Sequence, residues 1–148
     1  MVRPRRPGQY SSRIAAMLLA VRIAFWLQLL LGLGLSRGFF GARPLGVAGG
    51  EGDLHMLVGL IAAVLAIVVF RPGTGASSNG LTTAAAFFPL VPLLFGLAVR
   101  FAGMSGVAFI IVHVLLGLVA VGLIEAASGR RRRLLRAPPE DVGASAPS

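Results

Sequence analysis

The sequence predicts an all-α protein, a bundle of four transmembrane helices made of two tandem, parallel two-helix repeats. Hydrophobic residues make up 56% of the 148 residues and charged residues only 13%, which is not a soluble composition. Four apolar runs have roughly the 20 residues that a helix needs to cross about 30 Å of hydrocarbon. None of them shows the polar face of a soluble amphipathic helix. Within a membrane domain at 14–128, the runs cover residues 14–35, 54–70, 81–99 and 107–127.

An internal repeat surrounds the only two histidines of the chain. Residues 55–62 (HMLVGLIA) recur 58 positions later as residues 113–120 (HVLLGLVA). A segment upstream of each copy also matches, with a glycine at its fifth position: residues 28–35 (QLLLGLGL) and 92–99 (PLLFGLAV). Two matching segments that recur in the same order indicate a repeated structural unit. Each predicted unit has two spans, and the second span carries the histidine.

The segments outside the spans are polar or basic. Residues 1–13 form a basic arm with nothing to fold around, and residues 36–53 form the longest connection. Residues 129–148 begin with an arginine run and continue as a Pro/Ala/Ser tail that we expect to be disordered. Pro89 and Pro92 predict a kink in the third span, because proline removes an intrahelical hydrogen bond.

Composition excludes several kinds of site and partner. The chain has no cysteine, which rules out disulfides, thiolate metal sites and the attachment of c-type haem. Its net charge of +9 comes from 14 arginines, most of which flank the spans. Arginines in those places indicate topology and attraction to an anionic lipid bilayer, so we expect no nucleic-acid partner.

The placement of the arginines predicts the orientation. Ten lie on the side that holds both termini and the turn at 71–80, whereas Arg37, Arg43 and Arg100 lie on the other side. Cytoplasmic loops carry the excess of arginine. We therefore expect a multi-pass protein of the plasma (inner) membrane with both termini in the cytoplasm.

The two histidines are the candidate ligands of a cofactor, since an ionisable residue inside a span marks a functional site by default. His55 lies 16 residues before Arg71, and His113 lies 17 residues before Arg130. At 1.5 Å per residue, both imidazoles are about 24–26 Å from the cytoplasmic end. Spans two and four run in the same direction. Two imidazoles at one level can supply both axial ligands of a b-type haem.

Glycines recur at four matching positions beside these histidines. Gly59 and Gly117 follow the histidines by four residues and lie on the same helix faces. Gly32 and Gly96 come from the other two spans. We expect all four to let a porphyrin approach the backbone.

Polar side chains complete the predicted site. Gln28 lies too deep in the first span to reach the headgroups, so we expect it to face the bundle and form hydrogen bonds there. The propionates of a haem need cations near the outer surface, and Arg100, Arg37 and Arg43 lie on that side.

Two other interpretations remain open. Copper or another metal could bind to His55 and His113 with Met56 or Met104. Alternatively, the chain is a cofactor-free scaffold subunit or small transporter, and the glycines serve helix packing through small residues four apart.

Two charged residues lie inside the spans. Arg22 is about two turns into the first span, and Glu125 is a similar distance from the end of the fourth. Antiparallel neighbours would bring them to one level, where pairing avoids an isolated charge in lipid. The alternative is that Arg22 extends to the headgroups and Glu125 is protonated or meets the arginine run.

Several of these motifs resemble a known family. The segment Trp26-Leu-Gln28-Leu-Leu-Leu-Gly32, with a histidine on the second span and another on the fourth, is similar to one four-helix half of haem A synthase. The architecture is also similar to that of small cytochrome b-type membrane proteins. The resemblance covers roughly residues 20–128 and implies haem binding by the two histidines.

The differences from that family bear on activity. Its catalytic half has an acidic residue one turn before a histidine and an arginine directly after it, whereas here Met56 follows His55. The chain has one half only and no outer cysteine pair. The resemblance therefore implies electron transfer or haem handling rather than haem hydroxylation, and leaves open whether the protein is an enzyme. We expect a quinone or another redox protein as redox partner, and a homodimer as the assembly.

Overall fold

The computed structural model describes residues 7–36, 50–71, 79–102 and 106–136. These residues form five α-helices and contain no strand. The third predicted span consists of two of these helices, α3 and α4. The helices are α1 (Pro7–Ser36), α2 (Gly50–Phe70), α3 (Gly80–Phe87), α4 (Leu90–Phe101) and α5 (Val107–Arg136).

Four apolar helical segments in the described parts of the chain are long enough to cross a membrane. They are Ser12–Leu35, Gly52–Phe70, Gly80–Phe101 and Val107–Leu135. The predicted all-α, four-span fold is therefore confirmed, and the protein is a multi-pass membrane protein. That the two halves are copies of one repeated unit stays a prediction.

The spans form a ring of neighbours. The first span packs against α2 and α5, and the third span also packs against α2 and α5. The second and fourth spans are therefore diagonally opposite. Because direction alternates from span to span, α2 and α5 run parallel to each other. We call the end where α1 begins and α5 ends the terminal end, and the opposite end the distal end.

The buried core occupies only the terminal half of the bundle. Alanines contribute six of its thirteen residues, and small side chains let membrane helices approach closely. Helix α4 contributes none of the core residues. The core consists of Leu18, Val21, Phe25, Ala62, Ala66, Val69, Phe70, Ala85, Ala86, Ala120, Val121, Ile124 and Ala127.

The third span is broken at Pro89, in agreement with the predicted kink. Proline has no N–H to donate to the carbonyl of Ala85, and α3 ends two residues earlier, at Phe87. Helix α4 then begins at Leu90. Pro92 is its third residue, a position whose N–H would have no intrahelical acceptor in any case. The second proline therefore does not interrupt α4.

Hydrogen bonds from side chains stabilise two helix ends near the terminal end. Asn79 and Thr82 form a capping box at the start of α3, in which each side chain accepts from the other residue's backbone N–H. In α5, Arg131 is buried and donates through Nη1 to the carbonyl of Val69. That carbonyl lies in the last turn of α2, where intrahelical donors are absent.

The helices extend beyond the predicted spans. Residues 1–13 are expected to be an arm with nothing to fold around, yet α1 begins at Pro7, and proline suits a first helical position. Helix α5 likewise continues through the arginine run to Arg136, because arginine is a good helix former. The tail from 137 onward and the connection at 37–49 lie outside the described residues.

Arg22 and Glu125 form the intramembrane ion pair. Nε of Arg22 lies 2.8 and 2.7 Å from the two carboxylate oxygens of Glu125. Nε1 of Trp26 donates to the same carboxylate at 3.0 Å. The prediction of a pair on antiparallel neighbours is confirmed, and this contact joins α1 to α5.

Candidate cofactor site between the two histidines

A cavity of about 180 Å³ occupies the distal half of the bundle, above the packed core. Phe25, Ala62, Ala120 and Val121 belong to both the core and the cavity wall, so they form its floor. The cavity contacts all four spans. All eight residues predicted to bind a cofactor line it: Gln28, Gly32, His55, Gly59, Gly96, Arg100, His113 and Gly117.

His55 and His113 face each other across this cavity. Their ring centroids are 6.1 Å apart, and the ring planes are inclined by 72°. His55 is the sixth residue of α2, and His113 is the seventh residue of α5. Because these two helices are diagonal and parallel, nearly equal distances from their starts bring the imidazoles close to one level.

Each histidine ring lies against a glycine of the preceding span. A Cβ atom on Gly32 would lie 2.9 Å from Cε1 of His55, and one on Gly96 would lie 2.8 Å from Cε1 of His113. No real Cβ makes such close contacts, so any larger residue would displace the ring. We expected Gly32 and Gly96 to leave this space to a porphyrin. The structure shows that it is filled by the imidazoles themselves.

Gln28 fills the corresponding space beside Gly59. A Cβ on Gly59 would lie 2.7 Å from Nε2 of Gln28. The same amide nitrogen is 3.2 Å from Nε2 of His55. The expectation that Gln28 faces the bundle interior therefore agrees with its position, and its hydrogen-bonding partner is His55.

The His113 side of the cavity is more open. Gly117 has no heavy atom within 4 Å of the position of an added Cβ. The reason lies in the sequence, where Pro92 matches the position of Gln28. A proline side chain cannot donate a hydrogen bond to the ring of His113 as the Gln28 amide does to His55. His113 is instead flanked by Phe95, with ring centroids 6.3 Å apart and planes inclined by 15°.

Several buried polar atoms at the site have no hydrogen-bond partner among the described residues. They include Nδ1 of both His55 and His113, and Oε1 of Gln28. Buried polar atoms are nearly always paired, so each exception calls for an explanation. Both histidines line the same cavity, and each carries a buried ring nitrogen that no described residue engages.

Arg100 lies at the distal rim. Its Nη2 atom is 3.5 Å from the carboxylate of Asp53, and both side chains are partly solvent-exposed. Its Nε atom is buried without a partner, and its guanidinium also lies over Phe101. Of the three arginines predicted for this side, only Arg100 can be placed, because Arg37 and Arg43 lie outside the described residues.

The residues offer few further metal ligands. Within the described ranges, no group of three or more His, Cys, Asp or Glu residues could hold a metal ion. Met56 lines the cavity, whereas Met104 lies outside the described residues. Among the described residues that line the cavity, the two histidines are the imidazole ligands.

Sequence reasoning missed two neighbours of the site. Phe95, which flanks His113, directly precedes the glycine that receives that ring. Asp53, which pairs with Arg100, precedes His55 by two residues. Both residues are close in sequence to a predicted site residue. That proximity predicts a contact only when the rotation of each helix about its axis is known.

Comparisons with protein families, curated proteins and solved structures found no match to this chain.

Proposed function

We propose that this protein is an integral membrane b-type cytochrome in which His55 and His113 are the two axial ligands of one haem. The observation that carries the proposal is the 6.1 Å separation of the two imidazole centroids. A ring nitrogen binds a metal at about 2 Å. Two imidazoles on opposite sides of one ion therefore have centroids roughly 6 Å apart, with about 1 Å from each centroid to its nitrogen.

The surroundings of the two histidines fit this use. Each has a buried nitrogen without a partner, which is available for coordination. Metal-bound histidines usually engage their other ring nitrogen with a neighbouring group, and Gln28 is in place to do so for His55. The remaining wall is largely apolar, which suits a porphyrin face.

The open space beside Gly117 and the arginine at the rim support the proposal. Gly117 presents bare backbone to the cavity, where a flat macrocycle can lie. Arg100 has a buried Nε without a partner and a weak contact to an exposed carboxylate. A propionate can replace Asp53 there with a shorter, charge-assisted contact.

The proposed role is electron transfer or haem handling within the membrane. A haem bound by two imidazoles supplies reversible one-electron reduction of its iron. His55 and His113 would hold the iron on both sides, which would leave no position on it for a substrate. A quinone or another redox protein is the proposed partner. With the arginine bias, the site lies near the outer face of the plasma membrane and both termini are cytoplasmic.

An absorption spectrum tests the proposal. Protein purified from haem-replete cells should show a Soret band and a low-spin reduced spectrum. His55→Ala and His113→Ala should each abolish that spectrum. Leu57→Ala and Leu115→Ala are matched controls, because both residues lie two positions from a histidine and are more than half exposed.

A colourless wild-type protein would end the haem proposal in favour of a cofactor-free scaffold or transporter. If the wild-type protein is coloured, Gly117→Leu tests for the macrocycle. Loss of iron from a variant that remains folded would support a macrocycle beside Gly117. A copper or other metal site would keep its metal in that variant, because the added side chain blocks no ligand.

A further inference from the structure

A charged cluster lies on the lateral surface of the bundle, away from the cavity. It consists of Arg22 and Trp26 on α1 and Glu125 on α5. The side chains of Arg22 and Glu125 are 27% and 29% exposed, and Trp26 is 48% exposed. The ion pair is therefore not enclosed by this chain, although it lies within the apolar spans.

The pair leaves much of the arginine unused. Only Nε of Arg22 bonds to Glu125, and it meets both carboxylate oxygens. Among the described residues, no group accepts a hydrogen bond from either of its Nη atoms. A guanidinium has five N–H donors in a planar fork, and in hydrocarbon each unpaired donor is costly. The lateral face thus presents donors that need an acceptor from outside.

Both charges lie at one depth. The ion pair itself fixes the two side chains at one level, with 2.7 Å between Nε of Arg22 and the carboxylate of Glu125. Arg22 lies ten residues into its apolar helical segment, and Glu125 lies five residues before Arg130, the first arginine of the run in α5.

We propose that this face is the interface of a homodimer in which Arg22 of each copy also binds Glu125 of the other. All copies insert in the same orientation, so a two-fold axis must run along the membrane normal. Such an axis preserves depth, and it brings residues of one level together. A face that holds a cation and an anion at one level is therefore complementary to itself.

The surrounding surface suits a second copy. The apolar side chains of α1 on this face line a shallow depression next to Arg22. Helices in membranes associate through close packing of their side chains and through interhelical hydrogen bonds rather than through a hydrophobic driving force. The lining residues are Leu19, Arg22, Ile23, Trp26, Leu27 and Leu30.

Cross-linking in membranes tests the interface directly, because the chain has no cysteine of its own. Ile23→Cys places a thiol on the proposed interface, and Phe87→Cys places one on the diagonally opposite span. Both side chains are largely exposed, at 57% and 46%. A short bifunctional maleimide should convert Ile23→Cys to a covalent dimer and leave Phe87→Cys monomeric. Equal yields for the two variants would overturn the proposal.

A mixing experiment tests the cross-subunit pairs. Arg22→Gln and Glu125→Gln, each in the Ile23→Cys chain, should raise the dimer dissociation constant roughly tenfold, as expected for losing two interhelical polar pairs. Coexpression of the two variants restores one Arg22–Glu125 pair between copies and should raise cross-linking above either variant alone. No recovery on mixing would contradict the shared pairs.

Counting subunits in liposomes shows whether a second copy of the chain covers this face. Single-molecule photobleaching should give two steps per particle in neutral and in anionic lipid. One step in both would refute the dimer, and a monomer whose stability rises with anionic lipid would assign the face to a phospholipid. None of these measurements requires a bound haem, so their outcome is separate from that of the proposed function.

Discussion

Gln28 and His55 meet side chain to side chain, with 3.2 Å between their Nε2 atoms, and the same amide covers Gly59. His113 has no such partner, because Pro92 occupies the position equivalent to Gln28. The two halves of the bundle thus present similar histidines in different settings. His55 meets the side-chain amide of Gln28, whereas His113 meets the backbone of Pro92 and packs against Gly96 and Phe95.

Gln28→Leu should destabilise the cofactor-free protein by about 1–3 kcal/mol, because it leaves a buried imidazole nitrogen without its partner. The free energy of unfolding in detergent measures the loss. Leu60→Ala is the control, since its side chain is half exposed and lines neither the cavity nor the proposed interface. A free energy of unfolding equal to that of the wild type would show that the hydrogen bond makes no net contribution to stability.

Gly32→Ala and Gly96→Ala should each displace a histidine ring, because the added Cβ would lie within 3.0 Å of Cε1. We expect loss of the low-spin spectrum in both. Gly122→Ala is a matched control, because nothing lies within 4 Å of its added Cβ. That change should instead stabilise α5 by about 0.5–1 kcal/mol through helix propensity. A normal low-spin spectrum in Gly96→Ala would show that Gly96 does not confine the His113 ring.

Gly117→Leu should separate the folding of the protein from the binding of haem. The site of the new side chain is open, so the cofactor-free protein should remain folded. The leucine would occupy the space of the macrocycle, and haem content should fall to background. Circular dichroism and the Soret absorbance measure the two properties. A full haem content in this variant would place the macrocycle elsewhere in the cavity.

Arg22→Ala and Glu125→Ala should be coupled in stability. The double-mutant cycle in monomeric detergent micelles should give an interaction energy of roughly 1 kcal/mol, as for interhelical polar pairs in membranes. Additive effects of the two single changes would mean that the contact between Nε and the carboxylate contributes nothing. Arg100→Ala with Asp53→Ala provides a comparison at a longer distance of 3.5 Å.

A reporter that is active only outside the cytoplasm should be inactive when fused after Ser148 and active when inserted in the 37–49 connection. The ten-to-three distribution of arginines supports this orientation. An active reporter after Ser148 would invert the protein and place the histidines near the cytoplasmic face.

The spans and the level of the histidines could be predicted because both depend on distance along the chain. A run of about 20 apolar residues is needed to cross the hydrocarbon, and a fixed rise per residue converts sequence spacing into depth. Rotation about each helix axis is different, since it depends on packing with neighbours. The sequence therefore could not show that Gly32 and Gly96 receive the histidine rings rather than a porphyrin.

Helix ends were the least predictable part of the fold. Hydropathy marks where the lipid begins, but α1 and α5 continue past that point as far as Pro7 and Arg136. Local propensity and contacts between side chain and backbone decide these ends. The bond from Arg131 to the Val69 carbonyl, for example, requires two distant segments to meet.

The break at Pro89 coincides with the boundary between the packed core and the cavity. Helix α3 contributes Ala85 and Ala86 to the core, whereas α4 contributes Gly96 and Arg100 to the cavity wall. A continuous helix would transmit any tilt of its distal part into the core. The interruption confines that tilt to a segment of twelve residues. A small displacement of α4 would therefore change the width of the cavity and leave the packed core at the terminal end in place.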